Sequence, residues 1–158
     1  MRQWAWACAF ALAVTSGPAG AQDLHLDPAT VQACLDATRP VDRLPACAGE
    51  AARACQALPG DDTTLGTTEC LMAETAVWGD LMRAALAEQA ETLGRNDPKL
   101  VPQLDATQTA WAAYRDAQCG LIYGIWIDGS IRTIMAADCQ LVMTAQRAVD
   151  LRHLGGME

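Results

Sequence analysis

The stretch Trp111-Ala-Ala-Tyr-Arg-Asp-Ala-Gln-Cys119, WAAYRDAQC, sets two large aromatics, an adjacent Arg-Asp pair and a cysteine into an alanine-rich segment. Alanine, glutamine and arginine favour helix. On a helix Trp111, Arg115 and Cys119 stand successively four residues apart and so share one side, with Tyr114 beside that line and Asp116 on its flank. The next cysteine lies beyond Asp128-Gly129-Ser130: Cys119 precedes Gly129 by ten residues and Cys139 follows Ser130 by nine. If the chain reverses at that turn, the two sulfurs reach one level on antiparallel helices, where a disulfide can join them. The stretch therefore predicts a stapled helical hairpin.

At the other end the chain opens with Met1-Arg2-Gln3, an apolar run from Trp4 to Val14, and Ala19-Gly20-Ala21. That order predicts a secretory signal peptide, 1–21, cut after Ala21, and hence a periplasmic or secreted protein. Cys8 lies inside the apolar run, which disfavours it as a lipid-carrying first residue. Removing 21 of the 158 residues leaves 137, enough for one domain. With Arg2 gone, 10 basic residues face 19 acidic ones, a formal charge of −9. Such a balance excludes a phosphate-backbone partner and favours solubility or a basic protein partner. No later segment is apolar over a membrane-spanning length.

Six cysteines remain: Cys34, Cys47, Cys55, Cys70, Cys119 and Cys139. An even count in an exported chain predicts a disulfide framework. There is no Cys-x-x-Cys, so a thioredoxin-like redox site is not expected. No cysteine pair sits beside a histidine as zinc would require, and His25 and His153 are expected on the surface. Neither metal nor cofactor is predicted.

The rest of the chain reads as all-α. Asp27-Pro28 begins a helix to about Ala37, and a second is expected from Asp42 to Ala57, stopped by Leu58-Pro59-Gly60. A long third helix is expected from Thr67 as N-cap to Leu93, ended by Gly94, with Leu71, Val77 or Trp78, Leu81, Met82, Ala85, Leu86 and Leu93 inward. The fourth should start near Val101, because Pro102 has no backbone N–H to donate. A final helix is expected from Ser130 as N-cap to Gly155-Gly156. Six cysteines allow 15 connectivities. The turns favour pairing neighbours, Cys34 with Cys47 and Cys55 with Cys70 as well as Cys119 with Cys139. Each link would contribute about 3 kcal/mol by chain entropy.

Gln108-x-x-Trp111-x-x-Tyr114-Arg115-Asp116-x-x-Cys119, then Gly129-Ser130, Cys139 and Arg147, resembles the LprI-type lysozyme inhibitor family. The stretch Cys55 to Cys70 leading to Glu74-x-x-x-Trp78 is similar to that family's preceding half, so the resemblance spans about Cys55 to Leu151. It implies a small exported helical protein, with 55–158 as the LprI-like domain; 22–54 lies outside the common core and is read as an N-terminal helical extension that folds with it as one unit. Where the family usually has Leu-Asn-x-x-Tyr, this chain has Met82-Arg83-Ala84-Ala85-Leu86, losing an amide and a phenol.

Two surfaces are candidates. Trp111, Tyr114, Arg115 and Asp116 suit a structural role, the aromatics filling a helix interface and Arg115 pairing with Glu69 or Glu74. No histidine or nucleophile accompanies them, so an enzyme is not expected. Gly120 to Ser130 sets Ile122, Tyr123, Ile125, Trp126 and Ile127 in a glycine-punctuated stretch expected to be a loop. Held by a disulfide at its base, such a tip could present Tyr123, Trp126, Asp128 and Ser130 to a partner at low ordering cost. The alternative is that its apolar residues tuck beneath the first two helices. The resemblance implies that the partner is a lysozyme, and a basic lysozyme with an acidic cleft would suit an acidic body. A non-catalytic structural or small-ligand module of the cell envelope is the second reading.

Overall fold

The structure, a computed structural model, describes residues 26–155; the expected signal peptide and His25 lie outside them. Among the described residues it is all-α. Helix α1 spans Pro28–Ala37 and opens as its sequence predicts, with the Asp27 carboxylate accepting from the Ala29 amide at 2.9 Å. Helix α2 spans only Glu50–Gln56, not Asp42 to Ala57. Pro45 interrupts the expected run, and Gly49 takes a φ of 86°, a left-handed conformation that starts the helix afresh.

Helix α3, Thr64–Asn96, is longer than expected at both ends. Its N-cap is Thr63 and not Thr67: the Thr63 hydroxyl accepts from the Gly66 amide at 3.0 Å. The Asp61 backbone comes so close that a Cβ at position 66 would lie 2.5 Å from the Asp61 Cα, so that turn requires glycine. Gly94 does not end the helix, which runs on until Asp97 caps the short 3₁₀ turn Pro98–Leu100. Helix α4 is Val101–Ile125 and starts where Pro102 predicts. Helix α5 is Arg132–Arg152; Ile131, and not Ser130, stands at its cap without a side-chain bond, and the chain leaves the helix before Gly155.

Helices α3 and α5 form the central pair. Trp78 is fully buried, with Leu71, Met82 and Ala85 from α3 and Leu141, Ala145, Val149 and Leu151 from α5. Helices α1 and α2 lie against α3 and close the core with Val31, Leu35 and Ala52. Helix α4 packs on α5 and buries only Leu104 and Cys119. Most of its surface faces solvent.

Disulfides join Cys34 to Cys47, Cys55 to Cys70 and Cys119 to Cys139, with Cα separations of 5.8, 5.8 and 5.6 Å. The turn-based pairing holds for all three. No helix among the described residues is long and apolar enough to cross a membrane.

Candidate functional site

Besides the Cys119–Cys139 disulfide, the α4 sequence motif meets α5 through the side chain of Arg147. Arg147 Nε donates to Gln108 Oε1 at 3.0 Å and its Nη2 to the Thr107 hydroxyl at 3.2 Å, while its guanidinium carbon lies 5.9 Å from the Trp111 ring centroid. Burial pulls the Arg147 pKa down from the usual arginine value, and nearby Asp150 works against that shift. Arg115 lies over the same ring at 5.0 Å. It pairs with its neighbour Asp116 at 2.9 Å, not with Glu69 or Glu74. Of the two motif aromatics only Trp111 packs against the core; Tyr114 is exposed.

Glu74 is committed elsewhere. Its carboxylate is buried on α3 and accepts from the amides of Gly49 and Ala52, both at 2.7 Å, and from Trp78 Nε1 at 3.0 Å. An anion there meets the free amides at the start of α2, where the helix dipole favours negative charge. The sequence did signal this residue: a glutamate one turn before a core tryptophan, on an otherwise apolar stripe, has to find donors.

The 120–130 stretch is not a loop throughout. Helix α4 continues past Gly120 and Gly124 to Ile125, and a tight turn over 126–131 leads into α5. Gly129 N donates to the Trp126 carbonyl at 2.8 Å and closes that turn. The apolar side chains do not tuck beneath the first two helices: Ile125 is 67% exposed, Ile127 51% and Trp126 41%, with Leu121 and Ile131 exposed beside them. Asp128 and Ser130 are exposed too. Tyr123, at the edge of exposure, accepts at its hydroxyl oxygen from Arg132 Nε at 2.9 Å, and Arg132 Nη1 also donates to the Ile127 carbonyl at 3.1 Å. The Cys119–Cys139 disulfide fixes the base of this tip.

Beside the tip, α4 and α5 enclose a groove of about 360 Å³ lined by Tyr114, Gln118, Ile122, Met135, Val142 and Met143. The Met143 sulfur lies 3.8 Å from Cys119 Sγ and 3.9 Å from Cys139 Sγ. Elsewhere Cys55, Cys70 and Asp61 bring three ligand-type atoms together, but both sulfurs belong to the disulfide. His153 is half-buried, with its Nε2 enclosed and unpartnered, which corrects the expectation of a solvated side chain.

The family described as lysozyme inhibitor LprI matches residues 55–151. The chain belongs to the LprI lysozyme inhibitor family. An "uncharacterized 17.7 kDa protein in puhA 5'region" of Rhodobacter capsulatus is 27% identical over 133 residues, covering 77% of this chain and 82% of that one. No solved structure matches. The LprI match covers α3, α4 and α5 with the Cys55–Cys70 and Cys119–Cys139 links, and stops short of α1, most of α2 and the Cys34–Cys47 link. Sequence reasoning missed Arg132. Its spacing of nine residues from Tyr123 becomes a contact only because the turn over 126–131 is tight.

Proposed function

We propose that this LprI family member is a non-catalytic exported protein that inhibits a basic lysozyme by occluding its active-site cleft with the tip between α4 and α5. The observation that carries the reading is a set of exposed apolar side chains, Leu121, Ile125, Trp126 and Ile127, within seven residues at a tip that a disulfide and an arginine hold. Soluble monomers rarely leave such a surface without a use. A rigid tip also loses little entropy on binding. Tyr123 and Trp126 are the anchors in this reading, and Asp128 and Ser130 supply polar contacts at the rim.

A formal charge of −8 over the whole chain favours encounter with a basic enzyme. Three disulfides suit an oxidising compartment, reached after loss of residues 1–21. The test is a turbidity assay in which a basic lysozyme clears bacterial cells. Added protein with intact disulfides should protect the cells in proportion to dose. No protection at a large molar excess refutes the reading.

A second reading, a small-ligand module of the cell envelope, draws on the α4–α5 groove and its apolar floor of Ile122, Met135 and Val142. Protection of cells by a variant with this groove filled, such as Val142→Phe, would set it aside.

A further inference from the structure

At the centre of the apolar tip sits a polar pair with an unusual bias. Arg132 Nε donates to the Tyr123 oxygen, Nη1 donates to the Ile127 carbonyl, and the guanidinium carbon lies 5.7 Å from the Tyr123 ring centroid. These bonds use two of the five guanidinium donors. The Tyr123 oxygen already accepts from a permanently charged group, which leaves its own O–H to donate to another partner. Arg132 takes no part in the ion pairs among the described residues. The tip therefore offers donors and a positive charge, together with the exposed Ile125, Trp126 and Ile127 of the same turn of chain, on a protein whose net charge is strongly negative.

Such a centre selects one chemistry. A carboxylate in half-apolar surroundings satisfies free guanidinium and phenol donors together, and charge-assisted bonds of this kind are the strong ones. We propose that Tyr123 and Arg132 together bind an ionised carboxylate in the partner's cleft, Arg132 supplying charge and orienting the phenol, Tyr123 donating from its hydroxyl. This rests on the lysozyme reading, since the cleft of such an enzyme carries a pair of acidic side chains. Attraction then works on two scales: the acidic body draws a basic enzyme, and the cationic spot at the tip matches the acidic centre of its cleft.

Calorimetric affinities for a basic lysozyme, and for the same enzyme with each catalytic carboxylate changed to its amide, test the pair. The inhibitor forms compared are the natural chain, Tyr123→Phe, Arg132→Gln and Arg132→Lys, each checked for unchanged helicity by circular dichroism. Tyr123→Phe and Arg132→Gln should each weaken binding to the unmodified enzyme about tenfold or more. Against one of the two amide enzymes the natural chain should lose a similar factor, and the two variants should lose nothing further. Arg132→Lys should recover part of the loss, keeping the charge but not the fork. Full affinity in Tyr123→Phe and Arg132→Gln would overturn the carboxylate role and leave the lysozyme reading standing. Equal losses against every enzyme form would also overturn it, reducing the pair to a brace for the turn. A natural chain that binds none of the enzyme forms removes both readings.

Discussion

Two arginines on α5 do the same thing at opposite ends of one interface with different results. Arg147 and Arg132 each lie within about 6 Å of an aromatic ring on α4 and each donate two hydrogen bonds, Arg147 both to α4 and Arg132 one to α4 and one to the turn after it. Arg147 bonds to residues 39 and 40 positions away in sequence, in a half-buried seam whose ring packs on the core. Arg132 bonds to the last turn of α4 and to the connecting turn that precedes it, among side chains open to solvent. The difference teaches where a recurring contact fastens helices and where it only shapes a surface. Near Trp111 the groups are half-buried against the core and their loss should be felt as stability. Near Trp126 they stay accessible, and their loss should be felt as affinity.

The largest expected effect comes from cutting the link between the two regions. Replacing Cys119 and Cys139 together by serine should cost about 3 kcal/mol of stability by the loop-entropy argument, read as a lower Tm in thermal unfolding. Inhibition should fall as well, because the tip loses its base. Next, Trp111→Ala should cost about 2 to 3 kcal/mol, below the range for a fully buried tryptophan because the ring is only half-buried. Urea titration measures it, and inhibition by the fraction still folded should be intact. A weakened inhibitor with unchanged stability would reverse the comparison.

Trp126→Ala should do the opposite. Stability should shift by less than about 0.5 kcal/mol, as for an exposed site, while inhibition weakens by about 2 kcal/mol, roughly thirty-fold. The titration curve against lysozyme reads one effect and denaturant unfolding the other. An unchanged inhibition constant in both Trp126→Ala and Tyr123→Ala excludes the tip as the contact.

The smallest effect concerns pH. The hydrogen bond from Arg152 holds the exposed Asp36 carboxyl below its usual value of 3.8, and Arg39 does the same for Asp42. A depressed carboxyl contributes stability that is fully present above the unfolded value and is lost as pH falls through the folded one. Unfolding curves of Asp36→Asn and the natural chain should therefore differ slightly above about pH 4 and converge at lower pH. A difference that persists at pH 2 would mean that packing, not the ion pair, ties α1 to α5.

Much of this was legible in the sequence for local reasons. Asp27-Pro28 fixes the start of α1 by its own chemistry, and each turn between neighbouring cysteines brings its pair within disulfide reach. What misled was glycine. Gly120 and Gly124 read as loop, yet α4 passes through both. An isolated glycine costs a helix only about 1 kcal/mol relative to alanine, and a turn anchored by Cys119 and flanked by Leu121, Ile122 and Ile125 tolerates it. Gly94 misled in the same way at the end of α3. The partner of Glu74 was illegible for another reason: two of its donors are backbone amides that carry no side-chain signature, presented by a helix shorter than the pattern implied.

Glu74 also bears on how far the family's matched segment can stand alone. The two amides that hold its carboxylate belong to Gly49 and Ala52, upstream of the match, which begins at Cys55. A protein trimmed to that segment would retain Glu74 on α3, lose the two amides that bind it, and open it and the neighbouring core face of α3 to water. The leading helices are thus the socket of this bundle, and their removal should lower its Tm by uncovering the core face of α3.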